Sequence, residues 1–441
     1  MDDQNSVASV GISAELEADF ERATQGQLTD DDIERARLLV GIYTASKARE
    51  LFSVATPDAI RNWALGAGDD NPLYTDENYG LTTRWGSQVG HGTMMGHIKT
   101  PMLGDPISSE LAAQTKDLFS GVQAFVSGGS WEWFRPLWSG DRIYCYSGED
   151  SLEVNKSNFA GRSVSQVRRD VVLNHHGEVL GIHRTLRILA ERKTAKNRGK
   201  YASIEPAHYS PKDYERIDEI YASEQPRGRD IRYWEDVQIG EALPAMVKGP
   251  LTVTEMIAFH CGGYGFVLHG LPSSRLAYKL RKRVPTFFVK NESGVFDVDQ
   301  RIHWDSQWAR AIGNPMAFDY GVMRECWFYH YVSDWMGNDA FIEEMTESIR
   351  KFNYIGDTQF LSGHVSNKRV EDERYLIDLE LNMVSQRDTE TATASVTLSL
   401  TSRDAGLTPM RLVPVSLQRE AASIFARHNE LTASQASRTY P

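Results

Sequence analysis

The sequence predicts an α+β protein built from two tandem copies of one unit. The first copy has a helical region followed by several short runs that alternate between apolar and polar residues, which is typical of helices packed on an antiparallel sheet. From Tyr233 onward, the same order of helix, glycine turn and strands recurs. A chain of 441 residues is long enough for each copy to bury a core of its own.

This pattern divides the chain into five segments. We expect an N-terminal arm over residues 1–35, a first half over 36–190, a linker over 191–230, a second half over 231–414 and a helical C-terminal tail over 415–441. The second half carries an insertion at about residues 264–300, across which the repeat changes its spacing. The linker is rich in Lys, Arg, Pro, Glu and Tyr, which favours an ordered crossing between the halves.

Local signals place helices and strands within the first half. Residues Thr56–Asp58 combine an N-cap threonine with a proline and an acid in the first turn, and they predict a helix that ends at Gly66. Alternating residues over 163–173 and 179–189 predict two strands. Asn174–Gly177 between them predicts a hairpin turn.

Equivalent residues of the two copies are separated by one spacing before the insertion and by a larger one after it. Gly262, which follows an apolar helix pattern, matches Gly66 at a spacing of 196 residues. Tyr320-Gly321 matches His91-Gly92 at a spacing of 229 residues, and we expect an apolar helix to begin at each of these glycines. The increase in spacing, 33 residues, is the length of the insertion.

The overall composition excludes several classes of protein. A net charge of −12 argues against a general nucleic-acid or membrane-surface binder. The three cysteines, Cys145, Cys261 and Cys326, are too far apart for a zinc module and indicate a reducing compartment. We find no signal peptide and no apolar run of membrane-spanning length, so we expect a cytoplasmic protein.

Asp69 and Gly92 carry the chemistry that the residues themselves suggest. Asp69 follows Gly68 in a polar turn, where its carboxylate could act as a proton acceptor. Gly92 could present a bare backbone amide at a helix start, where donors and dipole favour a developing oxyanion. The alternative is a turn with no chemical role, since Asp-Asn-Pro is common in turns.

The same stretch resembles a known family. Gly68–Asp76, which reads Gly-Asp-Asp-Asn-Pro-Leu-Tyr-Thr-Asp, is followed by Gly80 and by His91-Gly92. This order is similar to the MaoC-like (R)-specific enoyl-CoA hydratase and 3-hydroxyacyl-thioester dehydratase family. The resemblance extends from about residue 40 to 402 and implies a double hot-dog fold, in which two tandem halves each wrap an antiparallel sheet around a central helix.

The resemblance implies roles for residues of the first half. The catalytic Asp of the family falls on Asp69, its Asn on Asn71 and its thioester-binding amide on Gly92, with His91 beside the substrate. The catalytic His of the family falls on Tyr74, which is a departure from the pattern.

The second half keeps the histidine of the family pattern and lacks the acid. His303 is the best match to the catalytic His, and Gly321 matches the thioester-binding amide. The expected acid is replaced by Val298, although Asp297 and Asp299 flank that position.

Three hypotheses about the site therefore stay open. In the first, Asp69 acts with Tyr74 as the acid. In the second, His303 acts with Asp297 or Asp299. In the third, neither half is competent, and the chain binds acyl thioesters or serves as a partner subunit. A metal site is a further alternative, from residues at 297, 299, 303 and 305, although the family needs neither metal nor cofactor.

The reaction implied by the resemblance is reversible addition of water to a 2-enoyl thioester, giving a (3R)-hydroxyacyl thioester, as in fatty-acid metabolism. The alternatives are a hot-dog acyl-CoA thioesterase and a non-catalytic acyl-CoA-binding subunit. We expect assembly with a second copy or with another hot-dog subunit. Aromatic residues near the second-half helix would favour a bulky or branched acyl group if they line a pocket: Trp304, Trp308, Trp327, Phe328, Tyr329, Tyr331 and Trp335.

An acidic protein that binds the anionic acyl-CoA needs a local basic patch. The insertion supplies five cations within nine residues of a predicted helix: Arg275, Lys279, Arg281, Lys282 and Arg283. They could clamp the nucleotide phosphates. The alternative is a solvated basic helix face.

Overall fold

The structure is a computed structural model that describes residues 26–47, 52–120, 122–157, 161–190, 204–264 and 271–439. All five predicted segments fall partly outside these ranges. The residues outside them are 1–25 of the arm, 48–51, 121 and 158–160 of the first half, 191–203 of the linker and 265–270 of the insertion. The last two residues of the tail, 440–441, also lie outside the described residues.

The first half contains five helices and seven strands among its described residues. The helices are α1 (Asp30–Arg37), α2 (Pro57–Gly66), α3 (Pro72–Thr75), α4 (Glu77–Leu81) and α5 (Ser109–Gln114). The strands are β1 (Tyr43–Ala45), β2 (Val89–Gly90), β3 (Gln123–Trp133), β4 (Leu137–Trp138), β5 (Ile143–Ser157), β6 (Gly161–Asn174) and β7 (Val179–Ala190).

The rest of the described chain contains six helices and seven strands. The helices are α6 (Pro211–Ser223), α7 (Val253–Phe259), α8 (Ser274–Arg283), α9 (Ser306–Ala311), α10 (Gly321–Met336) and α11 (Val415–Thr439). The strands are β8 (Met246–Lys248), β9 (Phe288–Lys290), β10 (Phe296–Val298), β11 (Phe341–Ile349), β12 (Gln359–Glu371), β13 (Arg374–Ser385) and β14 (Glu390–Ser399).

Ten of these strands form one antiparallel sheet with two-fold internal symmetry. The strand order is β1-β5-β6-β7-β3-β11-β14-β13-β12-β8, so the second five strands repeat the first five in reverse. The two halves join where β3 pairs with β11, and Ser130 lies directly opposite Thr346. This topology confirms the predicted α+β double hot-dog, with the two sheets fused into one.

Residues that the repeat relates also touch each other near the symmetry axis. A Cβ added to Gly66 would lie 2.7 Å from the Cα of Gly262, and one added to Gly262 would lie 2.7 Å from the Cα of Gly66. The rings of Trp63 and Phe259, which are also 196 residues apart, have centroids separated by 5.9 Å. Contact between equivalent residues is what a two-fold axis requires. Glycine is needed at this point because a side chain would push the two backbones apart.

The first-half prediction for α2 is confirmed. The Thr56 hydroxyl accepts from the amide of Ala59, Pro57 occupies the first turn and the helix ends at Gly66. The predicted strand pair and hairpin are β6, β7 and the turn at Gly177, whose φ of +79° suits glycine.

The expectation that a long helix begins at His91-Gly92 is wrong. Residues Gly92–Gly96 form only a 3-10 turn, whereas α10, which begins at the equivalent Gly321, runs for 16 residues and is buried on nearly every side. Pro101 and Pro106 explain the difference, because proline removes backbone donors and cannot continue a helix. The double hot-dog therefore has one full central helix, contributed by the second half.

The C-terminal tail is helical, as predicted, and it packs on the first half. Leu417 and Ala421 of α11 are buried against Tyr146 and Val171 of the sheet. His428 of the same helix accepts from the amide of Leu103 at 2.9 Å. Burial of this apolar face stabilises α11 on the outer side of the first-half sheet.

Candidate active site

A tight turn after α2 holds Asp69 in the protein interior. Gly68 adopts a φ of +74°, and the amide of Asp69 donates to the carbonyl of Ala64 at 2.9 Å. The side chain is fully buried, and its Oδ1 accepts from the amide of Asn71 at 3.0 Å. The left-handed glycine lets the chain reverse and points a carboxylate inward.

Asn71 shapes this turn and does not face the carboxylate of Asp69 with its side chain. Its Oδ1 caps α3 by accepting from the amide of Leu73 at 3.0 Å, and its Nδ2 donates to Asn338 at 3.4 Å. The structure therefore places Asn71 as a positioning residue, where the resemblance had suggested a catalytic one.

The central helix of the other half brings His330 to Asp69. The Nε2 of His330 lies 3.8 Å from Oδ1 of Asp69 and 3.2 Å from Oδ2 of Asp334, one helical turn further along α10. On its other side, Nδ1 of His330 lies 2.7 Å from Nζ of Lys248, which ends β8. All these groups are largely buried.

His91 approaches the opposite oxygen of the same carboxylate. Its Nε2 lies 3.8 Å from Oδ2 of Asp69, and its Nδ1 lies 2.7 Å from the hydroxyl of Thr93. Within the described residues, neither Asp69 Oδ2 nor His91 Nε2 has a hydrogen-bond partner. Two buried polar atoms at this separation can both hydrogen-bond to one small oxygen-bearing group placed between them.

Burial sets the protonation states of the cluster. It raises the pKa of Asp69 to about 6, opposed by His330, and the pKa of Asp334 to about 7, opposed by Lys248. It lowers the pKa of His330 to about 4 and the pKa of His91 well below its usual value, so both imidazoles are neutral near pH 7. Burial also lowers the pKa of Lys248. Groups with shifted pKa values that converge in one place are typical of an active site.

Tyr74 lies in this cluster but is not bonded to Asp69. Its hydroxyl has the hydroxyls of Ser333 and Tyr329 as hydrogen-bonding neighbours, and burial raises its pKa well above the usual value. Tyrosine is longer than the histidine of the family pattern, so its hydroxyl reaches past the carboxylate toward α10. A phenol with a raised pKa is a poor acid, which disfavours the pairing of Asp69 with Tyr74.

Gly92 lines a small apolar cavity next to Tyr74. The cavity has a volume of about 20 Å³, which is room for one water molecule, and Tyr329, Trp133 and Leu73 form other walls. A Cβ at Gly92 would lie 2.6 Å from the ring of Tyr329. The Gly92 amide also acts as a hydrogen-bond donor to the Tyr329 hydroxyl, whose pKa is raised to about 12 mainly by burial.

Comparison with known proteins gives a family for part of the chain and a fold for most of it. Residues 47–182 match the model of the FAS1-like dehydratase domain region. A structure described as a MaoC-like dehydratase aligns with 83% of this chain and 100% of its own at 13% identity, with a TM-score of 0.54. The chain has the fold of a MaoC-like dehydratase. The resemblance expected from the sequence is thus confirmed.

Two further structures are more distant. A Mycobacterium tuberculosis protein described as having a double hot-dog fold is 9% identical, with 83% of this chain and 97% of that chain covered and a TM-score of 0.44. Peroxisomal multifunctional enzyme type 2 from Drosophila melanogaster is 10% identical, with 81% and 48% covered and a TM-score of 0.41. Comparison with curated protein sequences finds no match.

The second hot-dog half holds a different cluster around His303. The Nδ1 of His303 lies 2.9 Å from the carbonyl oxygen of Phe318, and its ring stacks on Tyr320 at 3.8 Å. Burial lowers the pKa of His303 to about 4. Gly321 packs against side chains of Ile349 and Val126. The residues that match the family pattern are therefore divided between the halves, with Asp69 and Gly92 in the first and His303 and Gly321 in the second.

The acids expected to serve His303 face Arg301 instead. Asp305 caps α9 and lies 3.2 Å from Nε of Arg301, and Asp297 and Asp299 also act on that guanidinium electrostatically. A buried arginine requires such compensation, and its carboxylates are then unavailable as bases. This arrangement also disfavours a metal at these residues, because Arg301 already supplies the positive charge.

In the part of the chain that the structure describes, one group of side chains lies close enough together to hold a metal ion: Asp69, His330 and Asp334. The Lys248 ammonium, which touches His330, makes this set poorly suited to a cation, since like charges repel in a buried site. We therefore interpret the cluster as an acid–base site.

The basic insertion forms a helix, as predicted, in α8. No residue of α8 is buried, and Arg281 lies over the ring of Phe296 at 4.4 Å. The role of Arg275, Lys279, Lys282 and Arg283 in binding phosphates stays a prediction.

The sequence interpretation missed His330, Asp334 and Lys248. His330 and Asp334 are four residues apart, so they share one face of a helix that is mostly apolar and aromatic and also buries Arg324 and Glu325. A histidine–aspartate pair within a buried helix was an available signal, because ionisable groups rarely lie there without a partner or a function. Lys248, in a three-residue edge strand, gave no comparable signal.

The described ranges contain no helix that is both long and apolar enough to span a bilayer.

Proposed function

We propose that this chain is a hydro-lyase that reversibly adds water to a 2-enoyl thioester, with one active site built from both hot-dog halves. Asp69 and His91 come from the first half, and His330 comes from the central helix of the second. The dehydratase region and the fold support this class of reaction. This composite site differs from the hypotheses based on sequence alone, in which each half carries a separate site of its own.

The observation that carries the proposal is the pair of buried, unpartnered atoms Asp69 Oδ2 and His91 Nε2. They are 3.8 Å apart, and among the described residues neither has a hydrogen-bond partner. A water molecule, or the hydroxyl of a 3-hydroxyacyl group, would satisfy both atoms at once. Leaving two such atoms unsatisfied costs folding free energy, which is expected of a site kept for a ligand.

The protonation states suit opposite roles for the two flanking groups. Near pH 7 Asp69 is mostly ionised, since burial raises its pKa only to about 6, and it takes the proton of the attacking water. His330 is neutral, and Lys248 donates to its Nδ1, so its proton lies on Nε2, which is 3.2 Å from Asp334 and 3.8 Å from Asp69. His330 can therefore deliver a proton to the α-carbon while Asp69 activates the water at the β-carbon.

Gly92 and Tyr329 are the donors for the thioester carbonyl. The Gly92 amide donates to the Tyr329 hydroxyl, which holds the position that a carbonyl oxygen would take. A bound thioester would displace this hydroxyl or accept from both donors. Either arrangement stabilises the enolate that forms as water adds to the double bond.

The (3R) configuration of the product and the preference for a bulky or branched acyl group remain proposals. The aromatic residues of α10 are mostly core, since Trp327, Phe328 and Tyr331 are each 5% exposed or less. The cavity beside Gly92 is apolar and has room for one water molecule, so it favours no particular acyl group. Binding of the CoA phosphates by α8, and assembly with a second copy or another hot-dog subunit, are likewise proposed on charge and family resemblance alone.

A two-channel assay tests the function. Purified protein is mixed with a panel of trans-2-enoyl-CoA thioesters, and loss of the conjugated double bond is followed beside release of free thiol. We expect loss of the double bond without thiol release. Asp69→Asn should lose about 10²–10⁴-fold of the rate, and Asp58→Asn, which alters an exposed carboxylate paired with Arg61, should stay within a few-fold.

Each alternative has its own result in this assay. Thiol release that depends on Asp69 would indicate a thioesterase. Binding of the thioesters with neither signal would indicate a non-catalytic subunit. Full activity of Asp69→Asn would overturn the assignment of the site.

A further inference from the structure

We propose that Lys248 is the proton source behind His330, so that the two side chains form a relay through which one proton reaches the substrate and later returns. This inference rests on the proposed hydro-lyase function and extends it to a residue outside the family pattern. Lys248 acts through His330 and does not itself touch the substrate.

The relay stands first on geometry. Nζ of Lys248 lies 2.7 Å from Nδ1 of His330, and Nε2 of the same ring lies 3.2 Å from Oδ2 of Asp334 and 3.8 Å from Oδ1 of Asp69. An ammonium has donors only, so Nδ1 must accept and Nε2 must carry the ring proton. The imidazole thus accepts a hydrogen bond from the lysine at Nδ1 and presents its own proton to the reacting groups at Nε2.

The surroundings of Lys248 suit a group that gives up a proton and takes it back. The side chain is 7% exposed, and burial lowers its pKa. Four carboxylates act on it in the opposite sense: Glu224, Asp69, Asp334 and Asp70. Its other contact is the carbonyl of Gly68 at 3.4 Å. Buried lysines in such settings can change their charge near neutral pH, which exposed lysines cannot.

The proton balance closes over one turnover of hydration. Asp69 takes a proton from water as the water oxygen bonds to the β-carbon, and the thioester becomes an enolate. Nε2 of His330 gives its proton to the α-carbon as the enolate collapses, and Nδ1 takes a proton from Lys248. The proton on Asp69 then passes from Oδ1 to Nε2 of His330, and Nδ1 returns its proton to Lys248. No proton is gained or lost by the protein.

Without Lys248 the scheme fails at a definite step. A neutral imidazole that loses its Nε2 proton becomes an imidazolate unless Nδ1 is reprotonated, and a buried imidazolate beside two carboxylates is strongly disfavoured. The lysine therefore explains how a histidine whose pKa is lowered to about 4 can still act as an acid.

The test compares three variants by activity and by NMR of the ring nitrogens of His330. Lys248→Met removes the donor. Lys248→Arg keeps the positive charge and a donor to Nδ1 but holds its proton, because the arginine pKa exceeds about 12. Lys99→Met is the control, since Lys99 is a partly buried lysine whose neighbours are Cys145 and Asp170.

The relay predicts the Nε2-protonated tautomer in the wild type and in Lys248→Arg, and loss of that preference in Lys248→Met. Both Lys248 variants should lose about 10²–10⁴-fold of hydration activity, while Lys99→Met keeps it. Thermal melts identify any variant that fails to fold, and Lys248→Leu, which also removes the donor, then replaces Lys248→Met.

The outcomes separate the relay from the function on which it rests. Wild-type rates in Lys248→Arg, or an Nδ1-protonated His330 in the wild type, would overturn the relay and leave the hydro-lyase assignment standing. A wild type with the Nε2 tautomer but no activity on any enoyl thioester would overturn the function, and the relay with it.

Discussion

The two hot-dog halves carry the same pair of side chains in exchanged positions. Tyr74 and His91 of the first half correspond to His303 and Tyr320 of the second, at a spacing of 229 residues. The first pair lies edge to face with ring centroids 5.6 Å apart, and the second pair stacks at 3.8 Å. The residue types are conserved between the copies, and the acid is not, since Asp69 corresponds to Val298.

The difference teaches that the central helix decides which copy can act. Asp69 meets His330 because α10 lies between the halves, and the equivalent helix in the first half stops after one turn at Gly96. The position that corresponds to His330 is Pro101, so the second half has neither a carboxylate nor a histidine presented by the other copy. In the proposed function, duplication with loss on both sides leaves one composite site, in which each half supplies what the other lacks.

The largest expected effect comes from replacing His330 by glutamine, compared with the same replacement at His303. His330→Gln keeps a donor near the position of Nε2 but cannot transfer a proton, so hydration should fall by about 10²–10⁴-fold. His303→Gln should keep activity within a few-fold, because His303 bonds to the backbone at Phe318. Rates measured side by side on one enoyl thioester check this comparison. The reverse ranking would move the chemistry to the second half.

The second effect is a pH-dependent gain in stability on removing the Asp69 charge. Burial raises the pKa of Asp69 from 3.8 to about 6, so its ionisation destabilises the native state as the pH rises through this range. Asp69→Asn should therefore gain up to about 3 kcal/mol over the wild type at pH 8, at 1.36 kcal/mol per pKa unit. The gain should shrink as the pH falls from 6 toward 3.8 and should be lost below that value, where the carboxyl becomes protonated in both states.

Urea unfolding of both proteins at pH 5 and pH 8 measures this gain. Asp70→Asn, at an exposed carboxylate, is the control and should show no such trend. A variant less stable than the wild type at pH 8 would contradict a buried charge at Asp69.

The third effect tests whether an acid alone can restore the second half. Val298 is 7% exposed, so Val298→Asp buries a carboxyl and should destabilise the protein by about 1–3 kcal/mol. In an Asp69→Asn background it should restore no hydration, since the described residues place no histidine of the other half beside Val298. Activity and chemical denaturation of the double variant are the measurements. Recovered activity would show that the missing acid was the only defect.

The smallest effect belongs to Tyr74. Its hydroxyl has Ser333 and Tyr329 as neighbours, so Tyr74→Phe should lose about one hydrogen bond, roughly 0.5–1.5 kcal/mol of stability. Hydration should fall by less than about tenfold on the same scale. Initial rates and thermal melts of Tyr74→Phe and the wild type make the comparison. A loss as large as that of His330→Gln would restore Tyr74 as the acid.

Several features followed from local sequence because they depend on neighbouring residues alone. The N-cap at Thr56, the turn at Gly68 and the hairpin at Gly177 are set by side-chain capping and by the backbone freedom of glycine. The prediction of a helix at Gly92 failed although local sequence argued against it. Pro101 and Pro106 disfavour a helix after Gly92, and the expectation was based on analogy with Gly321.

The partners of Asp69 were beyond any local pattern. His330 is 261 residues away along the chain, and Lys248 ends an edge strand of the other half. Their approach depends on how β3 pairs with β11 and on which copy supplies the helix inside the sheet. Neither is encoded in the residues that flank the site.

Sequence by itself thus determined the duplication, the strands and the acid at Asp69, because periodicity and turn chemistry act over a few residues. Tertiary structure alone decided that His91, His330 and Lys248 converge on that acid, and that burial shifts the pKa values of the cluster. Desolvation and charge–charge interaction depend on distance in space, and only the folded chain sets those distances.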